Sequence, residues 1–138
     1  MKKLKLTDLS QGMQASISKN ITSGMIVDFA NLTGDHNPLH TSKEFATSRG
    51  YKDIVAHGCL TSSFFSALGG MHLPGENSLT MGSEFHFILP VYGGDTLKYE
   101  AEVIEVNTEF KFIILKLDCT NQDDQKVIRG KMRVAVTE

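Results

Sequence analysis

Cysteine is scarce in this chain of 138 residues, which has only Cys59 and Cys119. The two form no CxxC pair and share no Cys/His metal spacing, so neither a disulfide scaffold nor a zinc module is expected. Both sit in apolar stretches and read as buried free thiols of a reducing compartment. Long hydrophobic runs are also missing. No window approaches the ~18 apolar residues of a membrane span. The basic segment MKKLKLTDLSQGM lacks both an apolar run and a small-residue cleavage site. It is a poor secretory signal, and the cytoplasm is the expected location. Charge of one sign is lacking as well: the formal net charge is −2, which gives no footing for general nucleic-acid binding. There is no phosphate loop of the GxxxxGK[ST] type, and Gly93-Gly94 reads as a turn. No repeat, low-complexity tract or linker divides the chain, so residues 1–138 are expected to be a single domain.

Apolar residues make up 41% of the chain and charged residues 22%, a globular balance. At this size roughly two-thirds of the unfolded surface can be buried without a covalent or metal staple. The signals change character near Gly75, from mainly helical to mainly strand. Residues 13–21 read as a first strand, and Ser23 as the N-cap of a helix with Met25, Ile26, Phe29, Ala30 and Leu32 on one face. Gly34 fits its C-terminal stop. Residues 42–49 predict a short helix ended by Gly50. Leu60, Phe64, Phe65, Ala67, Leu68 and Met71 recur at helical spacing with small residues between them. That nearly uncharged helix needs cover on most sides. After it, Phe85, Phe87 and Leu89 alternate with Glu84, His86 and Ile88. Further along, Tyr99, Ala101 and Val103, then Ile113, Leu115, Leu117 and Cys119, then Ile128, Gly130, Met132, Val134 and Val136 each form one face of a strand. A curved antiparallel sheet that covers the apolar helix, an α+β layer architecture, follows from this order.

The segment Gly34-Asp35-His36-Asn37-Pro38-Leu39-His40 carries the chemistry. Asp35 and His40 can both move a proton near neutral pH, Asp35 as a base toward water and His40 as its partner in the transfer. Pro38 limits the backbone between them, and Asn37 can hydrogen-bond the turn or orient a partner group. A turn cap and a surface histidine are the structural alternative. His57-Gly58 opens the apolar helix. The first N–H groups of a helix lack internal partners and can stabilise a negative carbonyl oxygen, and glycine lets a ligand come close. The structural alternative is that Gly58 relieves crowding and His57 serves the fold. Together the two segments meet the needs of water addition to an α,β-unsaturated thioester: a base for water, a proton for Cα and a donor for the enolate-like oxygen.

At these residues the chain resembles the MaoC-like (R)-specific enoyl-CoA hydratase family. TGDHNPLH (33–40) resembles the hydratase motif, VAHGCL (55–60) the start of the central helix, and LPGENS with FHFILPVYGGDTL (73–78 and 85–97) the loop and strand that follow. The likeness covers roughly residues 10 to 136. It implies the hot-dog fold, a curved antiparallel sheet wrapped around a long central helix, and a homodimer with the active site near the subunit interface. It implies Asp35 and His40 as the catalytic pair, Gly58 as the amide that polarises the thioester carbonyl, and Asn37 and His57 as substrate-site residues, with Asn37 supporting the loop. The implied reaction is reversible syn hydration of a trans-2-enoyl-CoA to the (R)-3-hydroxyacyl-CoA. No metal and no cofactor is implied beyond the coenzyme A or acyl carrier protein that carries the substrate.

His36 adds an imidazole inside the motif and is expected to face solvent. Cys59 is expected to pack rather than act as a nucleophile. Arg129, Lys131 and Arg133 share one strand face, suited to coenzyme A phosphates or to an acidic acyl carrier protein. An ordinary solvated row paired with Glu100 and Glu102 explains them too. Phe85, Phe87, Met71 and Leu73 are candidates for an acyl pocket or for the core. The same catalytic residues would serve a 3-hydroxyacyl-carrier-protein dehydratase of fatty-acid or polyketide synthesis. A thioesterase would need water aimed at the carbonyl, and a non-catalytic thioester-binding module would not need both Asp35 and His40.

Overall fold

Apolar side chains at every second position need a sheet with one covered face. The computed structural model, which describes residues 1–138, provides it. Strand β1 (Gln14–Asn20) leads to helices α1 (Ser23–Thr33), α2 (Pro38–Thr41), α3 (Lys43–Ser48), α4 (Gly58–Ser63) and α5 (Phe65–Met71). Strands β2 (Ser78–Phe87), β3 (Thr96–Asn107), β4 (Phe112–Thr120) and β5 (Lys126–Val136) follow. The five strands form one sheet in the order β1-β3-β4-β5-β2, with every neighbouring pair antiparallel. Each apolar face expected for β3, β4 and β5 is the covered one, and Tyr99, Ile113, Leu115, Leu117 and Ile128 are fully buried. Opposite Phe85, a Cβ at position 130 would run into the Glu84 carbonyl, so glycine lets β2 and β5 close over the core.

Helices α4 and α5 cover this face. Phe65 and Leu68 are fully buried, and the Phe65 ring packs edge-on against Tyr99 at 4.9 Å and stacks with Phe85 at 5.6 Å. The single long helix expected here is interrupted at Phe64. Three hydroxyls in the turn before the break bond back to helix carbonyls: Thr61 to Gly58, Ser62 to Cys59 and Ser63 to Leu60. Such back-bonding competes with the backbone ladder and bends helices. The Tyr99 hydroxyl adds an outside donor to the Thr61 carbonyl at 2.7 Å.

Three smaller expectations change. Thr22, not Ser23, caps α1: residue 22 is still extended, and its Oγ1 accepts the Met25 N–H at 3.1 Å. Leu32 leaves the apolar face and is exposed, because six residues beyond Ile26 the helix has turned well away from the core. Arg129, Lys131 and Arg133 do not pair with Glu100 and Glu102, because β4 lies between β5 and β3. Their register partners are instead His86, Glu84 and Gly82 on β2 and Asp118, Lys116 and Ile114 on β4.

Candidate active site

Helix α1 ends at Gly34, which takes the left-handed conformation at φ 78° and donates its N–H to the Ala30 carbonyl. The chain then passes through a relay of side-chain caps. The Asp35 N–H donates to Thr33 Oγ1 at 3.2 Å, and Asp35 Oδ1 accepts the Asn37 N–H at 3.2 Å. Asn37 Oδ1 accepts the Leu39 N–H at 2.9 Å, which makes Asn37 the N-cap of α2 with Pro38 in its first turn. The Asn-Pro pair is therefore a helix start rather than only a turn, and His40 stands on that helix.

Two backbone carbonyls fix the two imidazoles. His40 Nδ1–H donates to the Val55 carbonyl at 2.6 Å, which in the neutral ring makes Nε2 the nitrogen with the lone pair. His57 Nε2–H donates to the Asp35 carbonyl at 3.0 Å. The rings stack at 3.8 Å with 27° between their planes, and the Phe29 ring centroid lies 4.9 Å from that of His57 at a 58° tilt. His57 is only 2% exposed, and its Nδ1 has no hydrogen-bond partner. One nitrogen from each imidazole and one Asp35 carboxylate oxygen lie within 4.8 Å of one another. Near-parallel stacked rings send their lone pairs along their own planes and not toward one point, so the cluster suits proton transfer better than coordination of an ion. Asp35 is exposed and His40 half-buried, so both can meet a water molecule.

Gly58 is the first residue of α4, where the N–H has no acceptor within the helix. A cleft of about 500 Å³ joins this position to His40. Its walls include Tyr51, Val91, Leu89 and Phe87. Of the four acyl-pocket candidates only Phe87 reaches the cleft. Leu73 is core, Phe85 stacks inside on Phe65, and Met71 is exposed elsewhere. Cys59 was expected to be buried but is exposed and lines the same cleft, since Leu60, one position on, takes the inward-facing place. His36 is exposed and borders a separate 300 Å³ cavity that also touches His40, together with Asn31 and Asp53. The Val55 and Asp35 carbonyls that hold the histidines carry no sequence signal, because any residue has a carbonyl.

This architecture, an antiparallel sheet over a helix whose first turn faces an Asp–His loop, is that of the hot-dog fold. The (R)-hydratase of Pseudomonas aeruginosa, in its unliganded form, superposes with a TM-score of 0.90 at 29% identity over 99% of this chain and 87% of that one. An (R)-hydratase of A. caviae gives 0.88 at 32% identity, over 93% and 97%. The family model of the MaoC like domain matches residues 6–124, and the chain belongs to that family. Among its curated relatives is the (R)-specific enoyl-CoA hydratase of Rhodospirillum rubrum, 34% identical over 129 residues, covering 94% of this chain and 89% of the relative. The (R)-specific enoyl-CoA hydratase of Aeromonas caviae is 39% identical over 123 residues, covering 89% and 92%.

Proposed function

We propose that the protein is an (R)-specific enoyl-CoA hydratase, a hydro-lyase that interconverts a trans-2-enoyl-CoA and its (R)-3-hydroxyacyl-CoA. The observation that carries this reading is one apolar-walled cleft bordered by both His40 and Gly58, with the Asp35 carboxylate beside His40. The similarity to the (R)-hydratases supports it.

The hydrogen bonds support one division of the proton chemistry. His40 Nδ1–H is held by Val55, so bare Nε2 enters the hydration direction as an acceptor together with the Asp35 carboxylate. A water held by this pair gives up one proton to it as the water oxygen bonds to Cβ. The double-bond electrons move to the thioester oxygen, whose negative charge the Gly58 N–H stabilises. The pair then returns its proton to Cα on the same face, the carbonyl re-forms, and the net change is one water added syn. Asn37 holds the loop through α2. His57 acts beneath His40, through its stack and its bond to the Asp35 carbonyl, rather than on the substrate itself. No step asks for a metal or redox cofactor.

A second carrier has a specific basis: 3-hydroxyacyl-[acyl-carrier-protein] dehydratases are among the relatives, the tomato mitochondrial one at 32% identity. Arg129 and Lys131 line a separate depression with Glu84, Lys116 and Asp118 and not the cleft, because side chains alternate across a strand and Ile128 faces the other way. Comparison of crotonyl-CoA with a crotonyl carrier protein separates the two substrates. We also propose a homodimer formed along β2. It is an edge strand with Leu79 and Met81 about 60% exposed, and an unprotected apolar edge invites a second strand. Light scattering on the eluting protein tests it, and a monomer at micromolar concentration rejects it. No helix is long and apolar enough to cross a membrane, and a cytoplasmic location is part of the proposal.

The deciding assay follows loss of the enoyl-thioester absorbance across chain lengths, with chiral analysis of the product. An (R)-3-hydroxyacyl-CoA is expected. An (S) product overturns the facial assignment, and release of free coenzyme A identifies a thioesterase instead.

A further inference from the structure

Phe87 is the last residue of β2, and its ring is 53% exposed. Its neighbour two positions earlier, Phe85, is stacked on Phe65 and partly buried. An aromatic ring left uncovered at the end of a strand contributes little to the core. This one leans over the first turn of α4. A Cβ built on Gly58 would lie 2.9 Å from Phe87 Cζ, 3.0 Å from Cε1 and 3.1 Å from Cε2, so the tip of the ring touches the glycine. Those distances are below van der Waals contact for two carbons. A side chain at 58 would therefore have to push the tip of the Phe87 ring aside. The ring and the glycine are both walls of the cleft that His40 borders.

We infer that Phe87 sets substrate specificity at the thioester end of the acyl group, where its ring excludes bulk on Cα. The inference rests on the hydratase reading. If the Gly58 N–H meets the thioester oxygen, Cα is only two bonds from that oxygen and lies beside the ring. A hydrogen on Cα fits against an aromatic edge already in contact with Gly58, and a methyl group does not. Farther along the acyl chain the ring has no such hold, so discrimination is expected at Cα and not at the tail. The ligand class selected is the unbranched 2-enoyl thioester.

The test compares trans-2-butenoyl-CoA with trans-2-methyl-2-butenoyl-CoA on wild type, Phe87→Leu and Phe87→Ala. The ratio of kcat/KM, methyl-branched over unbranched, is expected to rise about tenfold or more in Phe87→Ala, the lower end of what one methyl group commonly decides in a fitted pocket. Phe87→Leu should fall between. A ratio unchanged in both variants overturns the inference while leaving the hydratase reading intact. Absence of hydration of butenoyl-CoA by the wild type overturns that reading, and this inference with it. A stability cycle reads the contact without catalysis: Gly58→Ala lowers Tm, and adding Phe87→Ala recovers at least half of the loss. Additive losses in that cycle reject the steric coupling, and the melts also show whether each variant is folded.

Discussion

The β3–β5 sheet and the Asp35–His40 segment hold their shapes by opposite means. In the sheet, buried apolar faces from three strands interlock, and no single contact is indispensable to the register. In the segment, α2 is one turn long and little of it is buried. Its form comes from a chain of individual hydrogen bonds, Thr33 to Asp35, Asp35 to Asn37, Asn37 to Leu39, and from two carbonyls that clamp His40 and His57. The hydrophobic effect is non-directional and roughly proportional to area, so it builds a robust wall. Hydrogen bonds are directional and individually weak in net stability, so they can aim a nitrogen without fixing the fold. Rate and stability should therefore separate between the two regions.

The largest separation is expected at the proposed catalytic pair. Asp35→Asn and His40→Ala should each lower hydration by about two to four orders of magnitude, the range of a lost general acid or base, or about 3–5 kcal/mol in activation free energy. Tm should move by only a few degrees, because Asp35 is exposed and His40 half-buried. The absorbance assay and a thermal melt on the same samples read both. Turnover near that of wild type in either variant sinks the proposed mechanism. A large joint loss of rate and Tm shows that the segment carries the fold after all.

The converse experiment is Leu115→Ala, in the middle of β4 and fully buried. Removing its side chain should cost about 2–5 kcal/mol of stability, through lost burial and the cavity left behind. The kcat of the folded fraction should stay within a few-fold of wild type. Denaturant unfolding gives the first number and the assay below the transition gives the second. A kcat loss as great as that of His40→Ala would falsify the division of labour.

The same contrast governs what could be read from the residues. Period-two alternation marks a sheet face directly, so Tyr99, Ala101 and Val103 on β3, and their counterparts on β4 and β5, were legible as core. So was the helix start at Gly58, through its apolar sequel. Asp35, Asn37, His40 and Gly58 were read as a set only because several ordered motifs agreed. Spacing alone does not distinguish a proton-transfer pair from a capped turn. The break at Phe64 was hidden, because it depends on hydroxyl back-bonding and on a tyrosine from a distant strand. The exposure of Cys59 was also hidden, since a cysteine beside Leu60 gives the same pattern whichever of the two turns inward. The stacking of His57 beneath His40 depends on carbonyls that leave no trace in a sequence.

The smallest effect concerns pH and lies wholly on the sheet side. Cys119 is fully buried at the end of β4, and burial pushes its thiol up from 9.0 to about 12. Burial, then the neighbouring Cys119, also raises the Tyr99 hydroxyl above its usual 10.0. In the unfolded chain the thiol loses its proton near its ordinary value, while the folded chain keeps it until about pH 12. Between these limits the native state binds more protons than the unfolded one, so unfolding becomes easier as pH rises. The stabilisation is whole below about pH 9 and declines above it, by at most about 1.4 kcal/mol per pH unit from this one group. Tm should accordingly be flat through pH 7–8 and fall above 9, with a shallower fall in Cys119→Ala. Equal slopes in the two proteins would place the alkaline weakness elsewhere. A shallower slope would mean that loss of activity above pH 9 has a structural part, recognisable by its disappearance in short assays on protein held at neutral pH.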